Sequence, residues 1–152
     1  MNYEEKIKEL GFELPQAPTP LASYVPTVRS GNLVFTAGQV PVKDGKLIYA
    51  GKVGKDISAE DAQKAAQICA LNCLSVVKAK IGSLENIKRI VKISVFVNSA
   101  EGFTEQPKVA NGASDLLVEI FGEAGKHARS AVGVNELPID AAVEIEMIAE
   151  IK

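Results

Sequence analysis

The clearest pattern in the chain is an alternation of apolar and other residues between positions 90 and 97. Val91, Ile93, Val95 and Val97 occupy every second position, and side chains two residues apart share one face of a β-strand. Similar segments predict four more strands, and the Ser-Gly-Asn segment that joins the first two has the composition of a hairpin turn. These strands are expected at residues 23–29, 33–37, 128–134 and 142–151.

Two long helices are predicted where apolar residues recur at helical spacing. The first follows Ser58, a suitable N-cap, and runs to about Lys80, whereas the second spans about Glu105 to Phe121 with Thr104 as its expected cap. Small residues dominate the apolar stripe of the first helix, which predicts close packing against a sheet. The stripe consists of Ala62, Ala65, Ala66, Cys69, Ala70, Cys73, Leu74 and Val77.

The N-terminal segment is predicted to be a short helix followed by an extended arm. Tyr3, Ile7 and Leu10 lie at helical spacing, and Gly11 is a plausible end for this helix. The arm contains three prolines, Pro15, Pro18 and Pro20, and prolines interrupt regular structure. We therefore divide the chain into an N-terminal helix and Pro-rich arm, residues 1–20, and one domain, residues 21–152.

The predicted order of elements, ββαβαββ, indicates an α+β fold with one mixed β-sheet and two helices on one face. The last strand places apolar residues on alternate positions, with Glu144 and Glu146 on the other side. The face away from the helices would still carry apolar side chains such as Phe96, so we expect self-association. Clefts between subunits are then natural ligand sites.

Composition narrows the classes of function. The chain has 152 residues, 47% of them hydrophobic and 24% charged, which is typical of one globular domain. It shows neither an apolar run long enough to span a membrane nor a signal peptide, so we expect a cytoplasmic location. A net charge of −2, scattered basic residues and 5% aromatic residues argue against nucleic acid or a membrane surface as a partner.

Familiar catalytic motifs are missing from the sequence, including a P-loop and a G-x-S-x-G elbow. Cys69 and Cys73 are expected to be buried thiols, because cysteines four apart on one helix form disulfides poorly. His127 is the single histidine, too few ligands for a zinc site, and we interpret it as an inert residue of a surface loop. Neither a metal nor a cofactor is expected.

Arg129 is the charged residue whose position most clearly requires a partner. It lies in a predicted strand among small apolar residues, and its permanent positive charge needs an anion. Glu144 follows on the next strand, and a hairpin between the strands would bring the two within reach of each other. An intersubunit salt bridge without a ligand and a bound carboxylate both remain open at this point.

Several segments, in order and at suitable spacing, resemble the reactive intermediate deaminase family (RidA, also called YjgF). They are Phe-Thr-Ala-Gly-Gln-Val-Pro at 35–41, Val-Lys-Ile-Ser-Val-Phe-Val at 91–97, Ala-Arg-Ser-Ala-Val at 128–132, Leu-Pro at 137–138 and Val-Glu-Ile-Glu at 143–146. The resemblance covers the chain from about residue 20 to its end. It implies a chorismate-mutase-like fold and a homotrimer whose sheets pack around a threefold axis, with ligand sites between subunits.

The resemblance also implies an activity, the cofactor-independent hydrolysis of reactive 2-imino or 2-enamino acids to 2-oxo acids and ammonia. By position, Arg129 matches the arginine that takes the substrate carboxylate, and Glu144 matches the glutamate that positions the attacking water. Gly38 matches a glycine whose backbone lines the pocket. Tyr24 and Asn111 match a tyrosine and an asparagine of the site, with a packing role for the tyrosine and a surface role for the asparagine as alternatives.

Two positions depart from the family pattern. Ala37 stands where the best-studied branch has serine, and Ala131 stands where that branch often has cysteine. These changes motivate a second hypothesis, a non-catalytic protein that binds or senses small carboxylates such as 2-oxo acids. A third, endoribonuclease activity, is a description attached to some relatives, and the sequence pI of about 5.5 disfavours it.

Overall fold

A computed structural model describes residues 2–18 and 23–152, so Pro20 and the predicted domain boundary after residue 20 lie outside the described residues. The α-helices are α1 (Tyr3–Glu9), α2 (Ala59–Ile81) and α3 (Gln106–Phe121). The strands are β1 (Thr27–Ser30), β2 (Leu33–Thr36), β3 (Val42–Lys43), β4 (Lys46–Leu47), β5 (Ile87–Asn98), β6 (Ala128–Val134) and β7 (Val143–Ile151).

Five strands form the main sheet in the order β1-β2-β7-β5-β6, and β3 and β4 form a separate small hairpin. All neighbours in the main sheet are antiparallel except β5 and β6, which are parallel. Helix α2 contacts β7, while α3 contacts β5 and β6. The predicted α+β fold with one mixed sheet and two helices on one face is therefore confirmed. The predicted hairpin turn is confirmed too, since Ser30 pairs with Leu33 across it.

Helix α2 lies close to the sheet because small side chains dominate its buried stripe. The thiols of Cys69 and Cys73 approach the carbonyl oxygens of Val143 and Ile145 in β7, at 3.5 and 3.4 Å. Both cysteines are buried and free, as expected. Burial raises the pKa of Cys73 to about 12 and raises the pKa of Cys69 as well, so both remain uncharged thiols at neutral pH.

Three predicted element boundaries were wrong, among them the start of β5, which is Ile87 rather than residue 90. The N-cap of α3 is Glu105 rather than Thr104, and it forms no side-chain cap; Pro107 lies in the first turn, where a missing N–H costs nothing. The first strand begins at Thr27 rather than at residue 23. Pro26 precedes it and has no N–H for the ladder, although its carbonyl accepts a 2.8 Å bond from the Ala37 amide.

Helix α1 packs into the same hydrophobic core as the rest of the chain. Ile7 is fully buried, and the ring of Tyr3 lies 4.5 Å, centroid to centroid, from the ring of Phe121 at the end of α3. Glu4 also pairs with Lys78 of α2 at 2.8 Å. Among the described residues, no helix has the length and apolar character needed to cross a membrane.

The sheet face away from α2 and α3, called the open face below, carries side chains of all five strands, including Val28 of β1, which pairs with Phe35. The pairing registers align Phe35 with Ile148, Ser94 with Glu146, and Phe96 with both Glu144 and Val132. Its large apolar side chains are not covered by this chain: Phe35 is 39% exposed and Val132 is 45% exposed. The open face is therefore an apolar surface with acidic side chains inside it.

The contact between α2 and α3 depends on Gly112, so we predict that Gly112→Ala destabilises the fold. A Cβ atom at this position would overlap the backbone carbonyl of Gln63, with its carbon only 2.8 Å away. The overlap outweighs the helix propensity of alanine, and we expect the free energy of unfolding to fall by about 2 kcal/mol. Urea denaturation at a fixed protein concentration measures this change.

The control is Glu119→Ala, which changes an exposed residue of the same helix and should alter the free energy of unfolding by no more than about 0.5 kcal/mol. Equal stability of Gly112→Ala and the unsubstituted protein would contradict the proposed close approach of the two helices.

Candidate functional site

Arg129 is held by helix α3 at the β6 edge of the sheet. It pairs in register with the buried Ile93 of β5, so its side chain leaves the sheet on the helix side. Its Nη1 donates to Oδ1 of Asn111 at 2.9 Å and to Oγ of Ser114 at 3.1 Å. Two predicted site residues, Arg129 and Asn111, are thus brought together.

His127 is part of the same cluster: it lies in the loop before β6, as expected, but both of its ring nitrogens are hydrogen-bonded. The ring is half-buried, with Nδ1 2.6 Å from the carbonyl oxygen of Gly125 and Nε2 2.9 Å from Oγ of Ser114. A carbonyl only accepts hydrogen bonds, so Nδ1 carries a proton. His127, Ser114, Arg129 and Asn111 therefore form one continuous hydrogen-bonded group, called the arginine cluster below.

Glu144 lies elsewhere, on the open face of β7, beside Gly38. A Cβ atom at Gly38 would lie 2.8 Å from Cδ of Glu144, so the carboxyl group rests directly against the glycine backbone. Partial burial raises the pKa of Glu144 above its ordinary value, and the negative charge of Glu146 raises it further. A carboxyl group with a raised pKa accepts a proton more readily than an ordinary carboxyl group and can return it.

Tyr24 precedes β1 and is 67% exposed, so it does not pack in the core of this chain. The hydrogen bond between the carbonyl of Pro26 and the amide of Ala37 places the segment that carries Tyr24 alongside the segment that carries Gly38. Gly38 and Glu144, which are in contact, are called the glutamate region below, and Tyr24 lies two residues before Pro26 at its border.

The expectation that Arg129 and Glu144 meet across a hairpin was wrong. Strand β5 lies between β6 and β7, so the strands that carry these two residues are not neighbours. The registers also place them on opposite faces, because Arg129 aligns with buried Ile93 while Glu144 aligns with Phe96 of the open face. Within one chain, the arginine cluster and the glutamate region are therefore separate.

Both departures from the family pattern lie next to these groups. Ala131 shares the helix side of β6 with Arg129, two residues away, and packs against the hydrophobic core. Ala37 directly precedes Gly38 and is half-buried. In the part of the chain that the structure describes, no group of three or more His, Cys, Asp or Glu side chains is arranged to hold a metal ion.

Sequence reasoning missed Ser114 entirely, although its spacing offered a signal. Asn111 and Ser114 are three residues apart and therefore share one face of α3. His127 and Arg129 are two apart and leave an extended chain on the same side. A polar pair on α3 followed by a polar pair at the start of β6 indicates a polar cluster. Only the packing of α3 on β6 shows that the two pairs are in contact.

Comparisons with known proteins agree with the fold. The sequence profile of the family described as "YjgF/chorismate mutase-like, putative endoribonuclease" matches residues 4–151. The crystal structure of the protein Atu1372 from Agrobacterium tumefaciens is similar, with a TM-score of 0.94 and 48% identity, covering 99% of this chain and 92% of that one. The chain therefore belongs to the YjgF family, and the expected membership is confirmed.

Two curated relatives extend the comparison. Protein TCP17 of Trypanosoma cruzi is 45% identical over 146 residues, which covers 95% of this chain and 91% of that protein. A protein of Dermatophagoides farinae named 2-iminobutanoate/2-iminopropanoate deaminase is 31% identical over 138 residues, covering 91% of this chain and 93% of its own. A deaminase is therefore among the relatives that align over nearly the whole chain.

The cause of the raised pKa of Glu144 can be tested with Glu146→Gln. Removal of the neighbouring negative charge favours the ionised form of Glu144, so the pKa of Glu144 should fall. It should remain above the ordinary carboxyl value, because desolvation is the larger cause. NMR titration of the side-chain carboxyl carbons measures both effects.

Glu150→Gln is the matched control for this titration. Glu150 lies on the same strand but pairs with Arg89 and Lys88, so its removal should leave the pKa of Glu144 unchanged. A pKa of Glu144 that is equally insensitive to Glu146→Gln would contradict the charge interaction.

Proposed function

We propose that this protein hydrolyses reactive 2-imino or 2-enamino acids to 2-oxo acids and ammonia in the cytoplasm, without a cofactor. The observation that carries the proposal is the arginine cluster: Nη1 of Arg129 is held by Asn111 and Ser114, while Nε and Nη2 have no hydrogen-bond partner within residues 2–18 and 23–152. A fixed guanidinium with unused donors suits a carboxylate ligand. The name of the mite relative supports the same substrate class.

Glu144 is the proposed proton carrier of the reaction. Its carboxylate accepts a proton from a water molecule as the oxygen attacks the C=N carbon, and a tetrahedral amino alcohol forms. This proton passes to the imine nitrogen and completes the amino alcohol. The hydroxyl proton then moves through the carboxylate of Glu144 to the amino group, the C–N bond breaks, ammonia leaves, and the C=O bond of the 2-oxo acid forms. The raised pKa of this carboxyl supports the role, because proton transfer is most efficient when the pKa lies near the working pH.

The separation of the two groups within one chain supports a site shared between copies. We propose that the arginine cluster of one subunit and the glutamate region of a neighbour, with Tyr24 and Gly38, complete one site. The uncovered apolar side chains of the open face, including Phe35 and Val132, supply a surface for such assembly. A homotrimer around a threefold axis is the arrangement we propose, as the resemblance implies.

Non-catalytic binding of small carboxylates is the alternative, and the two alanines favour it. Ala37 and Ala131 lie beside Gly38 and Arg129 respectively, so each half of the proposed site offers a methyl group where other family members offer a hydroxyl or a thiol. A binding protein of this kind would retain the arginine cluster but release no ammonia.

Endoribonuclease activity is less well supported, because the net charge is −2 and basic residues are scattered.

Substitution of Glu144 separates the two main hypotheses. With imines generated in situ by an amino-acid oxidase, we expect the protein to accelerate ammonia release and Glu144→Gln to lower kcat by about 10²–10⁴-fold. Activity of the unsubstituted protein should rise with pH through the raised pKa of Glu144, because the ionised form is the base. The substituted protein should lose this pH dependence.

The control is binding of a 2-oxo acid, measured by calorimetry. Glu144→Gln should still bind 2-oxobutanoate, whereas Arg129→Ala should weaken binding on the order of 10–100-fold, since charged hydrogen bonds are lost. Binding without any acceleration over buffer would exclude the deaminase and leave the binding protein. If Arg129→Ala binds as tightly as the unsubstituted protein, both hypotheses fail.

Mixing two variants tests whether each site is built from two chains. Arg129→Ala and Glu144→Gln are each expected to be inactive alone. If neighbouring subunits in a ring contribute one residue each, random exchange of equal amounts leaves about a quarter of the sites intact, and activity returns to about that fraction. Exchange is achieved by unfolding and refolding the two variants together.

Separate refolding of each variant before mixing serves as the control and should restore no activity if subunits do not exchange. Confirmed exchange without recovered activity would place both residues of a working site in one chain, which would overturn the shared site.

A further inference from the structure

The donors of Arg129 are used unevenly. A guanidinium carries five N–H bonds, two on each Nη and one on Nε. Both hydrogens of Nη1 are occupied, one by Oδ1 of Asn111 and the other by Oγ of Ser114. For the described part of the chain, Nε and Nη2 are left without protein acceptors. These two atoms form one edge of the guanidinium and donate in parallel.

The hydroxyl of Ser114 accepts a hydrogen bond from Nη1 of Arg129 and donates one to Nε2 of His127. Nδ1 of His127 is protonated toward the carbonyl of Gly125, so in the neutral ring Nε2 is an acceptor. The hydroxyl proton of Ser114 points to Nε2, at an O···N distance of 2.9 Å. The lone pairs of Ser114 are thereby left to face the guanidinium, at 3.1 Å.

We propose that Ser114 and His127 are positioning residues that fix the orientation of Arg129, so that a ligand carboxylate is bound side-on by Nε and Nη2. The inference rests on the proposed function, in which Arg129 takes the carboxylate. His127 acts through Ser114, and Ser114 acts through Arg129; neither touches the ligand. The selected ligand class is a small planar carboxylate, whose two oxygens match the parallel donors.

The orientation of Asn111 is fixed by the same contacts. Arg129 donates only, so the amide oxygen of Asn111 must face it, and the amide NH₂ group is directed elsewhere. Asn111 and Ser114 therefore each accept from one of the two hydrogens of Nη1. Without either contact, a long arginine side chain at a sheet edge samples several rotamers, and ordering it on binding weakens affinity.

Two substitutions of His127 form a matched pair for the test. The amide of His127→Asn reaches only the position of Nδ1, so it retains the contact with Gly125 and loses the acceptor for Ser114. The amide of His127→Gln reaches the position of Nε2, so its oxygen accepts from Ser114 while the Gly125 contact is lost. Each variant removes one of the two contacts of the ring, and thermal unfolding should show similar losses of stability.

Affinity for 2-oxobutanoate, measured by calorimetry on the full chain, then separates positioning from folding. We expect His127→Asn and Ser114→Ala to raise Kd about tenfold, and His127→Gln to stay within about threefold of the unsubstituted protein. In turnover of an imine, the first two variants should raise KM more than they lower kcat. Equal affinities of His127→Asn and His127→Gln would overturn the positioning role.

Binding to Arg129→Ala shows whether a negative result contradicts the positioning inference or the proposed function. If Arg129→Ala weakens binding as expected while Ser114→Ala and His127→Asn bind normally, the carboxylate site stands and the positioning inference is wrong. If Arg129→Ala binds normally, the proposed function itself is wrong. The side-on mode has its own readout, because saturation with 2-oxobutanoate should shift the NMR signal of the Arg129 Nε–H group. An unshifted signal would overturn that mode.

Discussion

Because β6 pairs in parallel with β5, the chain must return along the sheet between them, and α3 provides that return. The crossover lies on the same side of the sheet as Arg129, so the face of α3 that carries Asn111 and Ser114 covers the guanidinium. Strand β6 is also the last strand of the sheet, since it pairs with β5 alone. One topological constraint thus creates the arginine cluster and leaves its unused donors at the edge of the molecule.

The same pairing separates Arg129 from Glu144. Strand β7 pairs with β2 and β5, and β5 occupies the position that a simple hairpin would have given to β6. Successive residues of a strand point to opposite faces of the sheet. Glu144 pairs with Phe96, so its side chain lies on the open face. A site that needs both residues therefore needs two chains, which links the proposed catalysis to assembly.

Small residues allow the helical layer to lie close enough to support this arrangement. The thiols of Cys69 and Cys73 rest on carbonyl oxygens of β7, and Gly112 brings α3 against the backbone of α2 at Gln63. A larger side chain at any of these positions would push a helix outward. Since α3 holds Arg129, the spacing of the helical layer and the geometry of the arginine cluster are connected.

The sequence by itself determined the three helices and the five strands of the main sheet, although not all of their ends, because their signals are local. Alternation marks β5, the small-residue stripe and Ser58 mark α2, and the turn composition marks the β1–β2 hairpin. It also singled out Arg129, since a permanent charge among small apolar residues needs an anion. The family resemblance singled out Glu144 by its position in the motif.

Only the tertiary structure decided which of these residues meet. Strand order and register are set by contacts between residues far apart in sequence, which no local pattern records. Those contacts separate Glu144 from Arg129 and place Ser114 and His127 beside Arg129. Nothing in the sequence around Ser114 and His127 had marked them as partners of the arginine. The arginine was predictable because its charge is a local property, whereas its partners were not, because they depend on how α3 packs across β6.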